Sequence, residues 1–232
     1  ISQPVIEQET VAMTFNVKIN GDGYQSIENR LPRVVEMIER HGADSVGVQE
    51  ADKWWTDNLE EALPQYARVG AYRDDGESLG ESCSVFYLKD KYDLVESGTF
   101  WLSETPDTPS KGWDSANTRC STWGLFKHKP TGKKFYYINT HLDHQVKEAQ
   151  IEGMKLISKH FEEHKETYPV FLTGDLNIKA DNEALDVIES YMNNAREVAP
   201  EGLTDFNTTY NGYVTNKNTI IDHIYCSNYL KV

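Results

Sequence analysis

Cysteine is scarce in this 232-residue chain: Cys83, Cys120 and Cys226 stand far apart in the sequence. They form neither a disulfide framework nor a paired-cysteine metal knuckle, and read as small buried hydrophobes. Basic charge is short as well. With 23 Lys and Arg against 37 Asp and Glu the formal net charge is -14 at pH 7, so no broad basic field exists to gather a long polyanion, and duplex DNA is disfavoured as a substrate. No apolar run is long enough to span a bilayer. Repeats, low-complexity tracts and linker-like stretches are missing too, which leaves residues 1–232 as a single domain. A start at Ile1 rather than Met fits removal of a signal peptide, and hence a secreted or periplasmic protein, as well as it fits trimming.

What is present begins with a strand pattern. Val11 to Val17 is a short apolar run with β-branched and aromatic residues, and Asn16 sits near its exit. From Ile27 the apolar positions Leu31, Val34, Val35 and Ile38 recur at helical spacing until Gly42, a C-terminal stop. Ser45 to Gln49 is the next strand and delivers Glu50 at its end, which makes a βαβ-like unit. A second helix carries Trp55, Leu59 and Leu63 and stops at Pro64, before a strand-like stretch from Tyr66 to Tyr72. Short strands at Ser84 to Leu88, Asp93 to Phe100, Thr122 to Lys127 and Phe135 to Thr140 then read as successive antiparallel hairpins. A helix over Val146 to His164 precedes the strand Val170 to Thr173, another runs from Glu183 to Tyr191, and the final strand is Thr219 to Cys226.

Chemistry gathers at the ends of those strands. Gly174-Asp175-Leu176-Asn177 leaves an apolar strand with a carboxylate and an amide side by side, able to hold a water and steady a phosphate oxygen. An Asx turn explains the tetrapeptide as well. Asn139-Thr140-His141-Leu142-Asp143-His144 brings imidazoles to another strand end, where a lone His is usually structural. Glu50 offers a carboxylate at a third, and one or two carboxylates with waters and substrate oxygens are what Mg²⁺ requires. Asp222 lies inside an apolar strand and needs a partner there. Each taken alone is ordinary. Their recurrence at strand ends, in the order Asn, Glu, His, Asp-x-Asn, Asp, is improbable as a set of accidents.

These residues resemble the endonuclease/exonuclease/phosphatase superfamily, the deoxyribonuclease I-like enzymes. Thr14-Phe15-Asn16, Val48-Gln49-Glu50, Thr140-His141, Gly174-Asp175-Leu176-Asn177 and Ile221-Asp222 carry the resemblance over nearly the whole chain, and Phe100 to Pro106 looks like a small bacterial branch of uncertain substrate. The resemblance implies a four-layer α/β/β/α sandwich, two mixed β-sheets face to face with helices outside. It implies Asn16 and Glu50 as metal ligands for Mg²⁺, with Mn²⁺ as a substitute. Catalytic roles fall to His141, Asp175, Asn177 and Asp222: Asp175 and Asn177 as the water-activating and phosphate-orienting pair, and His141 as a phosphate contact or acid. Arg119 becomes a phosphate-binding residue alongside Asn177 and His141, and Glu81 a supporting carboxylate that orients His141.

The sequence departs from the family at its end. Relatives of this kind close with a Ser-Asp-His strand whose His contacts the scissile phosphate, and no such element precedes Val232, so these residues are expected to be impaired relative to a longer parent. The expected activity is metal-assisted in-line attack of water on a phosphoester, phosphodiester or phosphomonoester, with a small molecule or lipid head group favoured over duplex DNA. The rival is a non-catalytic protein-binding module on the same fold. Retention of the whole dispersed polar set argues against it.

Overall fold

The computed structural model describes residues 9–19, 21, 23–200, 208–210, 212 and 219–232. The chain opens with β1 (Ala12–Asn16), α1 (Ile27–Arg40) and β2 (Ser45–Gln49), and β1 and β2 pair in parallel with Asn16 opposite Gln49. The helix forms because Ser26 caps its N-terminus, its side chain accepting from Asn29 N–H, and because Ile27, Val34 and Ile38 share a buried face. Gly42, at φ +59°, ends it in a conformation that favours glycine. Next come α2 (Lys53–Ala62), β3 (Tyr66–Val69) and β4 (Val85–Leu88), completing a four-stranded sheet of order β1-β2-β4-β3.

The second sheet holds β5 (Tyr92–Trp101), β6 (Cys120–His128), β7 (Lys134–His141), β8 (Val170–Asp175), β9 (Met192–Asn194) and β10 (Asp222–Ser227) in the order β5-β6-β7-β8-β10-β9. The crossover from β7 to the parallel β8 is α3 (Lys147–Glu162). Both sheets are mixed. Three apolar clusters show the layers. Ile38, Trp55 and Leu59 of α1 and α2 pack on Val46, Val48 and Phe86; Val85 and Tyr87 meet Phe126, Phe135 and Tyr137 between the sheets; and Met154, Ile157 and Phe161 of α3 cover Tyr136, Ile138 and Leu172. The fold is the expected four-layer α/β/β/α sandwich.

Several local expectations differ. The run of hairpins begins only at β5, because β4 pairs with β2 and β3, and the chain crosses to the other sheet within Lys89–Lys91. The expected helix from Glu183 to Tyr191 is a 3-10 turn at Glu183–Leu185 running into the short α4 (Asp186–Glu189). The strand expected to reach Tyr72 ends at Val69. Neither β9 nor α5 (Ala195–Val198) was visible in the sequence, since three or four residues carry too little periodicity.

The sheets meet most closely beneath the strand ends. A Cβ on Gly47 would lie 2.2 Å from Thr173 Oγ1 and 2.5 Å from Asn139 Oδ1, so only glycine fits there. Asn139, fully buried in β7, is the stitch. Its Oδ1 accepts from Gln49 Nε2 at 2.7 Å and Thr173 Oγ1 at 3.0 Å, and its Nδ2 donates to Val48 O at 2.8 Å and Ser84 O at 3.0 Å.

Candidate active site

The two sheets deliver polar side chains to a common edge. Asn16 is the last residue of β1, and Glu50 follows β2 with φ +58°. His141 and Asp175 end β7 and β8 in register with each other, and Asp175 is also opposite Asp222, the first residue of β10. Strand ends suit this task because a polar group there is held by the sheet yet escapes the apolar interior.

Asn16 lies at the centre of the carboxylates. Its Nδ2 donates to Glu50 Oε1 at 2.8 Å and to Asp175 Oδ2 at 2.9 Å, while its Oδ1 accepts from Lys18 N–H at 2.8 Å. Glu50 Oε2 accepts from Ile19 N–H at 2.9 Å, and Asp175 Oδ1 from Asn177 N–H at 3.0 Å. Asn177, at φ +53°, is anchored through Nδ2 to Leu142 O at 3.0 Å and keeps a second amide hydrogen. Burial raises the Asp175 carboxyl, with Asn16 and the Asn177 N–H opposing and Glu50 adding to the rise. Asp222 is pushed up to about 7 by burial and then by Asp175.

His141 is buried, with Nε2 3.7 Å from Asp175 Oδ2 and Nδ1 3.9 Å from Glu81 Oε2. Neither contact is an ion pair. Burial, then Arg119, Arg73 and His144, hold the imidazole well below its ordinary range, so the ring is neutral at neutral pH. Glu81, expected to orient His141, lies 3.9 Å from it, beyond hydrogen-bond distance, and its close partner is Arg73, whose Nη1 lies 2.6 Å from Glu81 Oε2. Arg119 is no surface side chain: it is 4% exposed, donates from Nη2 to His144 Nδ1 at 3.2 Å, and places Nε 3.8 Å from the buried carboxylate of Asp143. Asp143 in turn accepts from the N–H groups of Ala116, Gln145 and Val146, tying the loop before Arg119 to the turn after His141.

A cavity of about 420 Å³ is lined by Asn16, Glu50, Glu81, Arg119, His141, Asp175 and Asn177, so seven of the eight residues singled out in the sequence share one space. Asp222 lines the adjoining cavity of about 1010 Å³, which shares Asn16, Glu50 and Asp175 with the first.

The family model described as the Endonuclease/Exonuclease/phosphatase family matches residues 13–232. The chain belongs to this family. A solved family protein from Bacteroides thetaiotaomicron is 35% identical, with a TM-score of 0.86 over 94% of this chain and 83% of that one. A mannosyl-6-phosphatase from the same organism is 34% identical, with a TM-score of 0.84 over 95% of this chain and 86% of that one. The human Nocturnin catalytic domain, at 16% identity and a TM-score of 0.74 over 94% and 81% of the two chains, shares the fold. A curated relative, an uncharacterized protein of Acanthamoeba polyphaga mimivirus, is 28% identical over 157 residues, or 65% of this chain, and the match spans 59% of that protein.

Family members hydrolyse phosphoesters and depend on a divalent metal. The residues here fit such an ion: Glu50, His141 and Asp175 each offer a ligand atom, all within 4.8 Å of one another, and the carboxylate oxygens suit a hard divalent cation. Asn16, the other expected ligand, lies between these carboxylates. Its oxygen is engaged by Lys18 N–H and its nitrogen bridges the two carboxylates, so in this arrangement it is a donor that holds the ligand oxygens together.

Sequence reasoning left Arg73, Asn117 and His144 unassigned, though all three line the site cavity. Arg73 and Asn117 lie in loops without periodicity, so nothing local marks them. His144 sits three residues after His141 in the stretch Asn139 to His144, and that proximity was the available signal. Two tryptophans near these strands have packing roles: Trp101 is buried and donates from Nε1 to Arg73 O at 2.6 Å, and Trp123 stacks on Tyr136 with ring centroids 5.5 Å apart.

Proposed function

We propose that this protein is a Mg²⁺-dependent hydrolase of small phosphoesters, with Mn²⁺ able to replace Mg²⁺. The observation that carries this reading is the convergence of Glu50 and Asp175 from opposite sheets on Asn16, within one cavity that also contains Arg119 and a neutral His141. Glu50 and Asp175 would hold the ion, which supplies a Lewis acid for the phosphoryl oxygen and the leaving oxygen. Asp175 accepts a proton from water aligned for in-line attack on phosphorus. Asn177 directs its second amide hydrogen, and His141 a ring N–H, to phosphoryl oxygens where charge develops. A neutral His141 serves as a hydrogen-bond donor rather than as a strong acid. Arg119 adds fixed positive charge, and Glu81 with Arg73 frames the His141 side of the cavity.

Substrate size and charge narrow the class. A chain of net charge -14, with Arg119 in the site cavity, suits a compact phosphoester better than duplex DNA. The mannosyl-6-phosphatase at 34% identity favours a sugar phosphate monoester over a diester or a lipid head group. The test is hydrolysis of p-nitrophenyl phosphate and bis-p-nitrophenyl phosphate with Mg²⁺ and with chelator, using wild type, Glu50→Ala and Asp175→Ala. The proposal expects metal-dependent turnover, faster on the monoester and abolished in both variants. Turnover that survives both substitutions would refute it.

A further inference from the structure

Arg30, on the first turn of α1, lines neither cavity, yet it governs the geometry of the carboxylate edge through the backbone. Its Nη1 donates to Val17 O and, at 2.7 Å, to Lys18 O; its Nη2 donates to Ile19 O at 3.2 Å, and its Nε to Gln25 O at 2.7 Å. Trp55, wholly buried in α2, adds a donation from Nε1 to Lys18 O at 3.0 Å, and the guanidinium lies 5.1 Å from the Trp55 ring centroid.

The carbonyls gripped by Arg30 belong to the same planar peptide units whose N–H groups face the site. The peptide joining Val17 to Lys18 presents its oxygen to Arg30 and its N–H to Asn16 Oδ1 at 2.8 Å. The peptide joining Lys18 to Ile19 presents its oxygen to Arg30 and Trp55 and its N–H to Glu50 Oε2 at 2.9 Å. A trans peptide is rigid, with C=O and N–H pointing opposite ways, so fixing the oxygen aims the hydrogen. Such chains of hydrogen bonds also polarise one another, which makes each N–H a better donor to the site. Lys18 is held at φ +56° and Glu50 at φ +58°, conformations that non-glycine residues keep only where their surroundings impose them.

We infer that Arg30 is a positioning residue for the divalent-cation site: through two consecutive peptide planes it fixes the Asn16 amide and the Glu50 carboxylate, and so sets metal affinity without touching metal or substrate. This inference rests on the metal-dependent reading proposed above. The experiment is calorimetric titration of substrate-free protein with Mg²⁺, comparing wild type, Arg30→Gln, Arg30→Lys and Trp55→Phe, with thermal melts and with the kcat and half-saturating Mg²⁺ of p-nitrophenyl phosphate hydrolysis. Arg30→Gln is expected to weaken Mg²⁺ binding about 10- to 100-fold and to raise half-saturating Mg²⁺ in parallel, while kcat at saturating Mg²⁺ stays near wild type. Trp55→Phe, which keeps an aromatic side chain but removes the indole N–H donor, should weaken Mg²⁺ binding by about threefold. Arg30→Lys should fall between wild type and Arg30→Gln, and it carries the test if Arg30→Gln does not fold. Folded variants with a lowered melting temperature and an unchanged Mg²⁺ affinity would overturn the inference, leaving Arg30 a purely structural clamp. A wild type that binds no Mg²⁺ would overturn the hydrolase reading and this inference together.

Discussion

At Asp222, burial and the neighbouring Asp175 lift the carboxyl to about 7. The folded value lies above the ordinary carboxylate value of 3.8, so the protonated form is favoured by the fold, and this stabilisation is complete below the unfolded value and lost as pH rises through the folded one. In metal-free protein, Asp222→Asn is therefore expected to melt progressively higher relative to wild type from pH 5 to pH 8. A gap that stays constant across that range would contradict the assignment. His141 shifts the other way. Its ring is expected to titrate below the ordinary imidazole range in an NMR titration, because burial and the nearby guanidinium groups disfavour its cation, and His141→Gln should lower kcat by about 10²- to 10³-fold, as loss of a transition-state donor does. The site residues were legible in the sequence where each followed an apolar strand, as Glu50 follows Ser45 to Gln49 and Asp175 follows Val170 to Gly174. Arg73 follows a short strand through a loop, and its ion pair with Glu81 is a tertiary fact that no spacing announces.

Among the elements, β2, β7 and β8 bear most on the site, because their ends carry Glu50, His141 and Asp175 and their middles are stitched by Asn139. Asn139→Ala would remove the side-chain donor to the carbonyls of Val48 and Ser84 and one acceptor of the Gln49 amide. Ser84 O keeps the Val48 N–H, and Gln49 Nε2 keeps Thr14 Oγ1 and Gly47 O, so the loss is on the order of 1 to 3 kcal/mol. Urea unfolding measures this, and a loss below about 0.5 kcal/mol, the scale of an ordinary surface substitution, would show that the stitch is incidental. The long elements were legible because α1 and α3 repeat their apolar positions over several turns and β6 and β7 are rich in aromatic and β-branched residues. The passage from β4 to β5 was not. Three residues join them, a length that ordinarily means a hairpin, and only the packing of Val85 and Tyr87 against Phe126 and Phe135 places the two strands in different sheets.

For the whole molecule, periodicity suggested sheets with helices outside, and the four-layer order came from the family resemblance and is the order found. Net charge acts at this scale too. On the proposed reading, a net charge of -14 disfavours a long polyanion more than a small phosphoester that would meet the guanidinium of Arg119. Turnover per site on duplex DNA is accordingly expected to fall far below that on a small phosphomonoester at equal concentration. DNA cleavage as fast as monoester hydrolysis would reverse the substrate ranking. The most direct test of the account is release of inorganic phosphate from mannose 6-phosphate by wild type and Glu50→Ala, each with Mg²⁺ and with EDTA. The account expects release by wild type with Mg²⁺ alone; equal release by Glu50→Ala, or by wild type in EDTA, would contradict a metal-dependent hydrolase built on Glu50 and Asp175.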